Sequence, residues 1–120
     1  MKHETSKSKF IDDAADEWER LNKVVAEEKS KGIENSENQQ LLKSIKQKIK
    51  LIKMNPQYGS SVPKKIIPKK FPIDNLWVVD LTGFWRMLYT LKGSQVEILC
   101  FILEIFDHKR YDKLFGYRKK

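Results

Sequence analysis

The chain has 120 residues, with 24 Lys+Arg against 16 Asp+Glu, a net charge of +8, and 40% hydrophobic residues. A chain of this length buries a core unaided, which excludes a structureless tail and a miniprotein held together by disulfides or metal. The single cysteine excludes an internal disulfide, and no apolar run reaches the ~20 residues of a bilayer span.

The polar opening, residues 1–8, reads as a flexible segment ahead of one domain over residues 9–120. It has no apolar stretch of the kind a secretory leader needs, so the cytoplasm is the expected compartment and no membrane partner is expected. Residues 1–35 carry 7 basic and 9 acidic side chains, whereas residues 36–120 carry 17 and 7. The basic surplus therefore belongs to the later part, and it suits phosphates or an acidic protein partner as well as a merely solvated surface.

From Phe10 to about Lys31, Ile11, Ala14, Ala15, Trp18, Leu21 and Val25 recur every three or four residues, which predicts an amphipathic helix ended by Gly32. A second helix starts at Ser36, where Ser36 and Gln39 have capping-box spacing, and runs to Asn55-Pro56. Leu41, Leu42, Ile45, Ile49 and Ile52 form its apolar stripe. Lysines 43, 46, 48, 50 and 53 read as its solvated face. The short link predicts a helical hairpin.

After Val62 the pattern becomes extended. Val62 to Ile67 reads as an edge strand bracketed by Pro63 and Pro68, which have no amide hydrogen. Leu76 to Leu81 and Trp85 to Leu91 form a hairpin through Thr82-Gly83-Phe84. Alternation places Trp85, Met87, Tyr89 and Leu91 on one face of the second of these strands and Arg86, Leu88 and Thr90 on the other. Gln95 to Phe106 is apolar on both sides, with Val96, Ile98, Cys100 and Ile102 against Leu99, Phe101 and Leu103, and should be a covered central strand. Cys100 is then a small core residue. The fold class is α+β: an N-terminal helical hairpin packed on one face of a three- to four-stranded antiparallel sheet, with function sought on the other face.

Glycine-rich phosphate loops, the GxSxG elbow and zinc spacings are missing, so neither cofactor nor metal is expected. What remains is a set of cations and phenols: Lys64, Lys65, Lys69 and Lys70 around the edge strand, Arg86 in the meander, and Asp107-His108-Lys109-Arg110-Tyr111 at the end. Metal-free RNA cleavage by a ribose 2′-hydroxyl needs a base, cations for the phosphoryl oxygens, and an acid for the 5′-oxygen. Arginine grips phosphate in two places, and histidine serves as acid or base near neutrality. Each piece also has a structural use. The lysines protect a sheet edge, Arg86 pairs with Asp80 or Asp107, and His108 and Tyr111 cap the last strand. Residue chemistry alone reaches a basic nucleic-acid-binding domain.

Several stretches taken in order resemble the RelE/ParE superfamily of toxins. They are Asn55-Pro56-Gln57-Tyr58-Gly59, Val62 to Lys69, Asn75 to Leu81, Trp85-Arg86-Met87-Leu88-Tyr89, and the His108-x-x-Tyr111 ending. The resemblance implies a type II toxin-antitoxin toxin and, on the RelE side, a ribosome-dependent mRNA endoribonuclease that blocks translation. It implies Arg86 on the scissile phosphate, Arg110 as an added cation, His108 as proton donor, and Tyr111 or a lysine as base, with Tyr117 an alternative phenol. Lys64, Lys65, Lys69 and Lys70 become RNA contacts. The implied partners are a cognate antitoxin covering the positive sheet face, in a heterotetramer, together with the ribosome and mRNA. Two alternatives stand beside this: a ParE-like gyrase inhibitor, and an inactive RNA- or antitoxin-binding module of the same fold.

Overall fold

The computed structural model describes residues 7–69 and 71–103. Two helices, α1 (Asp12–Ser30) and α2 (Glu37–Met54), pack on a five-stranded mixed sheet. Its strands are β1 (Lys7–Phe10), β2 (Ser60–Ser61), β3 (Trp77–Asp80), β4 (Trp85–Lys92) and β5 (Gln95–Leu103), in the order β1-β5-β4-β3-β2. None of the described helices is long and apolar enough to cross a membrane.

Gly32 ends α1 as expected, through a Schellman motif. Its φ of 79° lies in the left-handed region, its amide donates to Lys29 O, and the Ile33 amide donates to Glu28 O. Ser36 caps α2 by accepting from the Gln39 amide at 3.1 Å. The return bond of a capping box goes one residue further back, with Gln39 Oε1 accepting from the Asn35 amide at 2.8 Å.

Glu28 ties the two ends of the hairpin together, accepting from Ser36 Oγ, Asn38 Nδ2 and Gln39 Nε2. These bonds, that from Ser36 foremost, hold its carboxyl below the ordinary value of 4.5. A carboxyl depressed in the fold contributes stability above its unfolded value and loses it as pH falls through the lower folded value. Glu28→Gln is therefore expected to flatten the acid limb of a stability-against-pH curve below about pH 4.5, measured by urea unfolding.

The sheet differs from a three- to four-stranded antiparallel one at both edges. Lys7–Phe10 is a fifth strand and runs parallel to β5, with Phe10 opposite Ile98. Phe10 therefore precedes α1 and stacks on Trp18, ring centroids 4.6 Å apart. The extended stretch expected over Val62 to Ile67 is instead a two-residue strand, Ser60–Ser61, followed by a 3-10 turn over Lys64–Ile66. Proline is the reason: Pro63, with no amide hydrogen, ends pairing just after the Val62 amide donates to Leu76 O at 2.9 Å.

β5 lies between β1 and β4, an interior position in keeping with its two-sided apolarity, while β4 is the middle strand. One residue of it is extra. Tyr89 pairs with Ile98 but Leu88 pairs with Cys100, leaving Leu99 as a bulge that reverses the facing of everything after it. Val96, Ile98 and Phe101 thus join Met87, Tyr89 and the helix side chains Ala14, Ile45 and Ile52 in the main core. Leu99, buried Cys100 and Ile102 face the other way. There they form a second cluster with Leu76 and Leu88, on which Val62, Ile67, Phe71 and Ile73 pack. The described part of this second face is thus an apolar layer under the segment that joins β2 to β3, not an open positive surface.

The β3–β4 hairpin turns through Thr82, Gly83 and Phe84, closed by the Leu81 amide donating to Trp85 O at 2.7 Å. Phe84 is 62% exposed and holds φ at 68°, a left-handed conformation that costs a bulky side chain about 1–2 kcal/mol. Phe84→Asn is expected to raise stability by roughly 0.5–1 kcal/mol, because asparagine tolerates that backbone. A higher thermal midpoint is the readout, and a fall would show that Phe84 packs more than its exposure allows.

Candidate functional site

Strand register sets the first pair of groups. β3 and β4 pair so that Asp80 lies opposite Arg86, and Arg86 Nε donates to Asp80 Oδ1 at 3.1 Å. Of the two carboxylates that sequence offers Arg86, the structure supplies Asp80; Asp107 lies outside the described residues. The pair is partly solvated, with side chains 29% and 78% exposed, so it contributes only about 0.2–1 kcal/mol to stability.

Beside this pair opens a cleft of about 420 Å3. Lys48 comes to it from α2, Tyr58, Gly59 and Pro63 from the loop around β2, and Asp80 and Arg86 from the sheet. The loop is held from beneath. Asn55 stops α2 and its carbonyl accepts from the Tyr58 amide at 2.8 Å. The hydroxyl of Tyr89 accepts from the Gly59 amide at 2.9 Å and donates to Pro56 O at 3.0 Å. Tyr89 itself is wholly buried and stacks against Trp77, so the wall of the cleft is pinned to the main core. Burial pushes the Tyr89 phenol above 10.0, against the opposing pull of the Gly59 amide. It is a neutral donor that supports the loop and no candidate for the base.

Asn75 fixes the far end of the same strand pair. Its side chain accepts from the Leu91 amide at 2.8 Å and donates to Leu91 O at 3.0 Å, which imitates one step of a strand ladder. Buried Thr90 donates to Asn75 O at 2.7 Å. Asn75 and Tyr89 thus anchor the segment between β2 and β3 and the loop before β2 to one strand, β4.

Of the predicted site residues, Arg86 lies in the cleft. Lys64 and Lys65 are exposed on the 3-10 turn that begins directly after Pro63, and Lys69 is exposed beyond Pro68. These lysines therefore stand on a turn next to the edge and not on an edge strand. Lys70, His108, Arg110 and Tyr111 lie outside the described residues, as does Tyr117.

Two cleft residues escaped prediction. Lys48 belongs to a row of lysines that reads as solvated, yet it stands three residues after Ile45 and four before Ile52, on the border of the buried stripe. That spacing was the available signal. Tyr58 stands in the Asn55-to-Gly59 stretch that carries the resemblance but has no role assigned by it, and its exposure follows from the turn after Asn55. Lys48 Nζ sits 5.6 Å from the centroid of the Tyr58 ring, within cation–π range.

The chain matches no family model, no curated protein and no solved structure. What the site does must therefore be argued from its groups. Lys48 and Arg86 outweigh Asp80 within the cleft, and Lys64 and Lys65 continue the positive charge past Pro63. A planar guanidinium and a point-charge ammonium on one concave surface are suited to a phosphodiester. The exposed Tyr58 ring of the loop adds a π surface beside Lys48, a common companion of phosphate cations in single-strand binding.

Proposed function

We propose that the protein is an RNA-cleaving toxin of the RelE type, a ribosome-dependent mRNA endoribonuclease of a type II toxin-antitoxin system. The observation that carries this reading is that Arg86, the strand arginine of the motif, shares a cation-lined cleft with Tyr58 and Gly59, the end of the Asn55-to-Gly59 stretch. Stretches far apart in the chain, chosen for their order in sequence, meet at one concavity. The helical hairpin on a sheet supports the same reading at the level of fold.

Cleavage would proceed by attack of the 2′-oxygen on the adjacent phosphorus. The bond from phosphorus to the 5′-oxygen breaks, leaving a cyclic phosphate and a 5′-hydroxyl. Arg86 and Lys48 stabilise the charge that grows on the phosphoryl oxygens, because fixed cations need no reorganisation as the charge develops. His108 protonates the departing 5′-oxygen, and Tyr111, Tyr117 or a lysine takes the 2′-hydroxyl proton. Lys64, Lys65, Lys69 and Lys70 bind flanking phosphates, with Arg110 as a further cation. The protein partners are an antitoxin segment of opposite charge and the ribosome that presents the message.

A second reading is favoured by one observation. Asp80 already occupies the Nε side of Arg86, as a structural ion pair would, which suits a module that binds RNA without cutting it. Primer extension on a message translated in a cell-free reaction separates the readings. Cuts at in-frame codons are the expected result. An intact message with translation arrested, or unaffected, overturns the nuclease; inhibited DNA supercoiling would then point to a gyrase poison, and salt-sensitive RNA retention to the binding module.

A further inference from the structure

Tyr58 is absorbed by no step of the cleavage scheme, although it is the aromatic residue lining the cleft. A single exposed aromatic needs no reason of its own; the surroundings of this one give it a use. The ring is 41% exposed. Its backbone is fixed on both sides, by the Tyr58 amide on Asn55 O and by the Gly59 amide on the buried Tyr89 hydroxyl. An exposed ring on a loop tied to the core is pre-organised, so a flat partner can stack on it without ordering the loop first. Lys48 Nζ lies over the ring, 5.6 Å from its centre, and Arg86 lines the same cleft.

A ring that shares a cleft with an ammonium and a guanidinium suits a nucleotide, whose base is a π-face and whose phosphate is an anion. We propose that Tyr58 is the stacking platform for the nucleobase adjoining the phosphate held by Lys48 and Arg86, so that the cleft takes single-stranded RNA by base and backbone together. This rests on the RNA reading above and adds the base contact to it. Stacking on a tyrosine tolerates every base, so the contact supplies affinity and register without choosing a sequence. An acidic peptide would use the two cations and leave the ring idle.

The test is a titration of the full chain at low salt with three probes: a single-stranded RNA oligonucleotide, an abasic ribose-phosphate chain of equal length, and polyglutamate. The parent protein should bind the RNA tighter than the abasic chain. Tyr58→Ala should weaken RNA binding about tenfold and leave abasic binding unchanged, while Tyr58→Phe keeps the parent's affinity for both. An equal loss on RNA and abasic chain overturns the platform, because the ring then acts through the shape of the loop. Unchanged RNA binding by Tyr58→Ala overturns it alone and leaves the RNA reading standing. Failure of the parent to bind either nucleic-acid chain, or binding of polyglutamate with the same dependence on Tyr58, overturns the platform, while the nuclease reading is decided separately by primer extension.

Discussion

Replacing Gly59 by alanine is expected to destabilise the protein by about 2–5 kcal/mol, a large part of the 5–15 kcal/mol typical of a domain. A Cβ at this position would stand 2.7 Å from Val78 O and 2.8 Å from the Tyr89 hydroxyl, with the Tyr89 ring at 3.1 Å. Neither neighbour can yield cheaply. Val78 is paired with Ser60 in the β2–β3 ladder and with Leu88 in the β3–β4 ladder, and Tyr89 is wholly buried. Relief must therefore come from the loop, which would break the Gly59 and Pro56 bonds to the hydroxyl and leave a buried phenol unsatisfied. Overpacking costs about 1–3 kcal/mol and an unsatisfied buried group a similar amount. Tyr89→Phe removes both bonds without adding an atom, leaving the Gly59 amide and the Pro56 carbonyl without this partner, and should cost about 1–2 kcal/mol. Urea unfolding of both variants checks the argument. If Gly59→Ala costs no more than Tyr89→Phe, the close approach of loop and strand is not what the glycine serves.

The same loop shows where sequence reading stops. The helices and the β3–β4 hairpin were legible because each rests on local signals: apolar residues at three- and four-residue spacing, a serine cap, a glycine stop, and a three-residue turn between β-branched and aromatic runs. β1 was not, since Lys-Ser-Lys-Phe is too short and polar to announce a strand, and its parallel partner lies some ninety residues away. Leu99 looked like one more alternating residue; only pairing with β4 shows that it is extra and that Cys100 and Ile102 face away from Val96 and Ile98. The edge strand stands at Ser60–Ser61, ahead of the prolines, because Pro63 stops pairing where alternation would let it run. At the site, Arg86 could be singled out as a cation in a strand of bulky neighbours. Asp80 could be named as one of its two candidate partners. The rest of its company could not: Lys48 arrives from a helix and Tyr58 from a turn, so their meeting is a property of the packed fold.

Under the proposed nuclease function, Arg86→Ala is expected to lower the rate of message cleavage by about 10²–10³, with stability changed by less than about 1 kcal/mol. The two magnitudes differ for a physical reason. In the resting fold the guanidinium meets a carboxylate that is 78% exposed, and water replaces much of what either partner loses. During cleavage the same guanidinium would face oxygens whose negative charge is growing, in a concave site where solvent screens it less. Asp80→Asn separates the two roles of the pair. It removes the competing anion while keeping a side chain of the same shape, so RNA binding should tighten several-fold at low salt and the gain should shrink as salt is raised. Arg86→Ala should instead weaken binding and reduce the slope of log affinity against log salt by about one phosphate contact. Measured together, the two variants should move affinity in opposite directions. If Asp80→Asn weakens RNA binding as Arg86→Ala does, the pair is needed to shape the cleft, and Arg86 serves the fold and not the phosphate.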